Sequence, residues 1–191
     1  MIFDLQKHLL SLASHSQEAA SLLRAAVCNG CRSCVSQISD LNRQALSDLT
    51  DAERELLTEG GNPCALSSVH ALASCISYAF SAAMLIPQEL PHLPPLSEIV
   101  SANELLAAYP RQILQAADTP PFYQIHLCAN KGRGAHAILV THYCVSRSDF
   151  SLLPLALALE NHRNAIEHAC GELMHLSANR GATRSNTTDK P

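Results

Sequence analysis

The chain has 191 residues, 8 cysteines and a net charge of −4. This length suggests one domain, large enough to fold without a metal or a disulfide. Charged residues make up only 16% of the chain, compared with about 25% in an average domain. The mild acidity and the lack of any Lys/Arg cluster exclude a typical nucleic-acid-binding protein, because phosphate contacts need grouped cations. The shortage of charge predicts an unusually large buried or uncharged surface.

The N-terminal residues lack the basic start and continuous apolar run of a signal peptide. No apolar stretch reaches about 18 residues without polar interruption, so we expect no membrane span. Eight cysteines without a signal peptide predict reduced thiols in a cytosol. We therefore expect a cytoplasmic protein, or one exported by a route that needs no signal peptide.

The N-terminal part, residues 1–59, has helical apolar spacing. The pattern predicts helices over 3–26 and 33–47, the first in two pieces. Thr50 and Glu53 form a capping box, which predicts that a further short helix starts at Thr50.

A strongly apolar helix is predicted to begin at Asn62 and Pro63, because asparagine is a favoured N-cap and proline fits the first helical position. Residues 61–86 contain no Asp, Glu, Lys or Arg. Apolar on all sides, this helix is expected to be central and buried. The charge deficit of the whole chain is concentrated here.

After a proline-rich loop at 87–97, helices are predicted over 97–108 and 110–117. Residues 122–128 and 135–145 alternate between apolar and polar side chains around a glycine-bearing turn, which predicts a β-hairpin. The expected fold class is therefore α+β, mostly helical, with the central helix packed on a small antiparallel sheet.

The domain organisation follows from these patterns. We expect one globular domain over residues 1–176, in which 60–150 form the functional core and 151–176 a C-terminal helix. The small, polar segment 177–191 is predicted to be a disordered tail.

Cys64, His136 and Asp149 form the main candidate site. Cys64 is predicted at the second residue of the central helix, where the helix dipole favours a thiolate. His136 is predicted at the start of a strand, and Asp149 follows it by 13 residues, so that the carboxylate could orient the imidazole. This arrangement predicts a cysteine nucleophile with a histidine base.

The sequence around these residues resembles papain-like cysteine peptidases, especially the compact bacterial leader peptidases and secreted effector proteases. Gly-x-x-Cys-Ala-Leu at Cys64, then His-Ala-Ile-Leu-Val at His136, then an acidic residue carry the resemblance, which covers about residues 60–150. It implies a hydrolase or acyltransferase that acts on a protein or peptide, needs no cofactor, and uses Cys64 as nucleophile, His136 as base and Asp149 as orienter. Asn62 stands near the position of the family's oxyanion donor, which is commonly glutamine.

Two alternatives stay open. The first is a non-enzymatic, helical binding or regulatory protein, since an uncharged surface suits a partner-binding face. The second is a metal protein that uses Cys28, Cys31 and Cys34, because thiolates bind soft ions, although no second paired-cysteine motif follows. Other metal sets are the His/Cys face of the predicted hairpin and, more weakly, a Glu-x-x-His at Glu172 and His175. Both the peptidase-like enzyme and the helical binding protein would have a protein or peptide partner. A homo-oligomer is left open.

Overall fold

The computed structural model describes residues 3–58, 60, 62–115, 122–147 and 150–185. These residues form seven α-helices and one π-helical segment, which follows α6 directly. The bounds are α1 Phe3–Asn29, α2 Ser33–Thr58, α3 Pro63–Met84, α4 Pro94–Ala107, α5 Tyr109–Gln115, α6 Phe122–Ile138, the π-helical segment Leu139–Val145, and α7 Leu153–Ser185.

Helix α3 is the centre of the fold. It packs against α1, α2 and α7, while α4 packs against α1, α6 and α7. Eleven residues of α3 are buried, among them Leu72 and Ile76, which are fully enclosed. The prediction of a buried central helix is confirmed, and the charge-free segment is the part of the chain that three other helices cover.

By length and composition, α3 is also the one described helix that could cross a membrane. This is weak evidence, because the core helix of a soluble protein has the same properties. Half of the most apolar 18-residue stretch of α3 is buried against other helices.

Asn62 caps α3. Its side-chain oxygen accepts a hydrogen bond of 3.0 Å from the backbone N–H of Cys64, and its own backbone is extended, as in an N-cap. Pro63 follows at the first helical position, where its missing N–H costs nothing. The local sequence therefore determines where the central helix begins.

We expect Asn62→Ala to lower the free energy of unfolding by about 1 kcal/mol, because the N–H of Cys64 loses its acceptor. Urea denaturation followed by circular dichroism would measure this. Asn62→Ser, which keeps a capping oxygen, is the control and should lose only a few tenths of that amount. Equal effects of the two substitutions would contradict the capping role.

The predicted α+β class and the β-hairpin are wrong. Residues 122–138 form α6 and 139–145 continue it as a π-helical segment, and the described residues contain no strand. The short alternating runs also fit a helix, because one stripe of small and apolar residues recurs every three or four positions. The buried members of that stripe are Ile125, Ala129, Gly132, Ala135 and Leu139.

Gly132, assigned to the hairpin turn by its sequence context, lies at a helix contact instead. A Cβ atom built on it would stand 3.2 Å from Cδ of Arg163 and 3.5 Å from Cβ of Ala102. Glycine thus lets α6 approach α4 and α7 closely. Gly134, two residues later, has nothing within 4 Å of the same built position.

Two helix boundaries also differ from expectation. Helix α2 runs without a break through Thr50, whose hydroxyl donates to the carbonyl of Leu46 one turn earlier rather than capping a new helix. Helix α7 continues to Ser185, into the segment predicted to be disordered. The remainder of that segment, residues 186–191, lies outside the described residues.

Candidate functional site

The residues of the predicted catalytic triad lie on helices or outside the described residues. Cys64 is half-buried at the second residue of α3. His136 lies on α6, not on a strand, with its Nδ1 3.6 Å from a carboxylate oxygen of Glu160 on α7. Its Nε2 is buried and makes no hydrogen bond with the described residues. Asp149 falls outside them, so Glu160 is the acid beside this imidazole in the structure.

The sheet that the peptidase resemblance implies is missing from the described residues. Asn62, the expected oxyanion donor, directs its side-chain oxygen at the N–H of Cys64 as a helix cap. No observation on these residues supports the assignment as a hydrolase or thiol protease, and the α+β description on which that assignment depended is corrected above.

A groove opens where α1 ends, α2 begins and α3 ends, with the loop 85–93 as its fourth side. Its volume is about 710 Å³, within the range of ligand-binding clefts. Its apolar lining includes Val27, Val35, Ala83, Met84, Ile86 and Leu90. Cys28, Cys31, Arg32, Gln88, Glu89 and His92 supply polar groups. The groove is partly open to solvent, neither a closed cavity nor a flat surface.

A hydrogen bond from a side chain joins two walls of this groove. The guanidinium of Arg32 donates a 2.8 Å hydrogen bond to the backbone carbonyl of Gln88, so the start of α2 is tied to the proline-rich loop. Gly30, with φ of +63°, makes the tight turn between α1 and α2 in a conformation that favours glycine. These two features give the groove its shape in the unbound protein.

Cys31 lies at one corner of the groove, just before α2, and Cys34 lies in the first turn of α2, outside the lining. Hydrogen bonds from the Cys34 side chain and from Ser33 lower the pKa of the Cys31 thiol. Burial, together with the hydrogen bond to Cys31, raises the pKa of Cys34 to about 11. The pair therefore combines a more acidic, accessible thiol with a less acidic, covered one.

A second polar cluster is buried between α4, α6 and α7. Arg163 is 2% exposed, and its guanidinium contacts the carboxylates of Glu160 and Glu167. Arg133 of α6 also binds Glu167. The cluster therefore joins α6 to α7 from the buried guanidinium of Arg163 out to the surface, where the Arg133 side chain is 44% exposed.

His162 and Asn103 extend this buried cluster toward α4. The Asn103 amide donates to the carbonyl of Leu159 at 3.0 Å and lies 3.4 Å from the His162 ring. Desolvation lowers the pKa of His162 to about 4, so the ring is neutral at physiological pH. The amide oxygen of Asn103 and Nε2 of His162 have no hydrogen-bond partner among the described residues.

The sequence analysis did not identify either the groove or the buried cluster. The only signal for the cluster was the spacing of Glu160, Arg163 and Glu167, which places them on one helix face. The groove had no such signal, since it forms where three helix ends meet.

The structure and the comparisons with known proteins leave the metal and family assignments without support. No group of three or more His, Cys, Asp or Glu among the described residues is arranged to hold a metal ion, and Cys28, Cys31 and Cys34 belong to those residues. No family model, no curated protein and no solved structure matches the chain.

Proposed function

We propose that this chain is a non-enzymatic helical binding protein whose groove takes an apolar segment of a partner protein. The partly open, preformed groove between the ends of α1, α2 and α3 is the observation that carries the proposal. Small-molecule sites usually enclose most of their ligand. A partly open groove suits a chain segment that enters and leaves it at the ends.

The surroundings of the groove favour the same occupant. Met84 lines the groove and is 62% exposed, and the adjacent Leu85 is 45% exposed, so the apolar surface continues outward from the lining. Methionine adapts to partners of different shape, because its side chain is unbranched and flexible. Arg32 and the loop carbonyls at the edge provide polar groups that can orient a peptide.

Selection from a random peptide library against the immobilised full chain would test this function. We expect peptides with two or more apolar side chains to be recovered. For a recovered peptide, Met84→Glu should weaken binding about tenfold, measured by fluorescence anisotropy, because it puts a charge in the apolar lining. Leu57→Glu is the matched control: Leu57 is 76% exposed and lies outside the groove.

Three outcomes would contradict the proposal. Selection could recover no peptide, or Met84→Glu and Leu57→Glu could weaken binding equally. A small amphiphile such as anilinonaphthalene sulfonate could bind in the groove while every peptide fails, which would make the groove a small-molecule site instead.

A further inference from the structure

Cys31 and Cys34 lie on either side of the start of α2, which begins at Ser33. The backbone N–H of Cys34 donates to the carbonyl of Cys31 at 3.2 Å, so one turn of the chain holds both residues. The sulfur of Cys31 is also 3.3 Å from the hydroxyl of Ser33. A disulfide holds its two Cβ atoms at about 3.5–4.5 Å, and Cys31 lies in the turn before α2 rather than within the helix. A small adjustment of this turn would join the two sulfurs.

The two thiols differ in their access to solvent. Cys31 is partly exposed and lines the groove, whereas Cys34 is 5% exposed. Cys75 and Cys170 also lie near one another, but both are fully buried. A reagent in solution therefore cannot reach either thiol of that pair. Access for one thiol and shelter for the other is the arrangement that stepwise thiol–disulfide exchange requires.

We propose that Cys31 and Cys34 form a reversible thiol–disulfide exchange site, with Cys31 as the attacking thiol and Cys34 as the resolving thiol. The co-reactant is a low-molecular-weight disulfide. The proposal depends on the geometry of the pair and does not require an occupied groove. It is therefore independent of the peptide-binding function.

The exchange proceeds in two balanced steps. The Cys31 thiolate attacks one sulfur of the small disulfide, which forms a mixed disulfide on Cys31 and releases one small thiolate. Cys34 then gives its proton to solvent and attacks the sulfur of Cys31, which forms the Cys31–Cys34 disulfide and releases the second thiolate. The protein loses two electrons, and the small disulfide gains them.

The ionisation of the two thiols agrees with these roles. Hydrogen bonding lowers the pKa of Cys31, which increases its thiolate fraction at neutral pH. The raised pKa of Cys34, about 11, leaves it with roughly a hundredth of the thiolate of a thiol at 9.0. Cys34 is accordingly slow to react with an external disulfide and reacts once the mixed disulfide stands beside it.

The test uses the reduced full chain with oxidised glutathione under anaerobic conditions, followed by alkylation and peptide mass mapping. We expect the wild type to lose two alkylatable thiols, both mapped to Cys31 and Cys34. Cys34→Ser should keep one glutathione on Cys31. Cys31→Ser should form a mixed disulfide at Cys34 about tenfold more slowly or not at all.

Cys28→Ser is the matched control, because Cys28 also lines the groove, and it should leave the Cys31–Cys34 product unchanged. Circular dichroism would verify that each variant is folded. Glutathione spread over several cysteines, a disulfide between Cys28 and Cys31, or equal glutathione on Cys34→Ser and Cys31→Ser would each overturn the proposal.

Discussion

We expect Gly132→Leu to lower the free energy of unfolding by about 3 kcal/mol, the upper end of the usual cost of overpacking. Even a Cβ atom at this position would stand 3.2 Å from the Arg163 side chain and 3.5 Å from Ala102. A leucine would separate α6 from α4 and α7, and would disturb the contacts of the buried guanidinium. Chemical denaturation with urea would measure the loss.

Gly134→Leu is a close control for this prediction, because Gly134 lies on the same helix with open space around its Cβ position. Leucine has a higher helix propensity than glycine by about 0.8 kcal/mol, so the control should be unchanged or slightly stabilised. If both variants lose the same stability, the close approach at Gly132 does not limit the packing of α6.

The second large effect is a loss of stability in mild acid that originates at His162. Its folded-state pKa, about 4, lies below the usual 6.5 because burial disfavours the imidazolium. Between these values the unfolded chain binds one more proton than the folded chain. The free energy of unfolding therefore falls as pH falls, at about 1.4 kcal/mol per pH unit within that range. From pH 7 to pH 5 the expected loss is about 2 kcal/mol.

Urea denaturation of the wild type, His162→Gln and His175→Gln at pH 5, 6 and 7 would test this. His162→Gln should remove about 2 kcal/mol of the difference between pH 7 and pH 5, whatever its own stability at pH 7. His175 lies exposed on the same helix, so His175→Gln should keep the pH dependence of the wild type. A wild-type pH dependence in His162→Gln would show that another group is responsible.

Local signals in the sequence were sufficient to predict the central helix. Asn62 and Pro63 mark its start, and its charge-free sequence favours a place in the core, although one side, with His70, Tyr78 and Met84, is exposed. The start and the buried position of α3 could therefore be predicted because neighbouring residues determine both.

The hairpin was predicted wrongly because its two segments are too short to distinguish the period of a strand from that of a helix. Over seven to eleven residues, a period of two and a period near 3.6 can select overlapping sets of positions. Ile138 and Val145 favour strands, yet they lie in or beside the π-helical segment. Packing of the Ile125-to-Leu139 stripe against α4 and α7 outweighs that preference.

The sites depend on distant parts of the chain, which explains why sequence analysis missed them. In the polar cluster, Arg163 of α7 is buried, and Arg133 and His136 of α6 contact the carboxylates beside it. The groove includes the hydrogen bond from Arg32 to the carbonyl of Gln88, and these residues are 56 positions apart in the chain. Apart from the spacing of Glu160, Arg163 and Glu167 on α7, no local pattern encodes either arrangement.

The order in which the helices are synthesised has a consequence for α3. The most extensive contacts of this apolar helix are with α7, which begins only at Leu153 and therefore leaves the ribosome after α1 to α6. Until then, one side of α3 has no cover, and a nascent chain with such a surface is prone to aggregate. A chain that terminates before Leu153 keeps this side exposed permanently, so we expect premature termination to give insoluble protein rather than a partly active fragment.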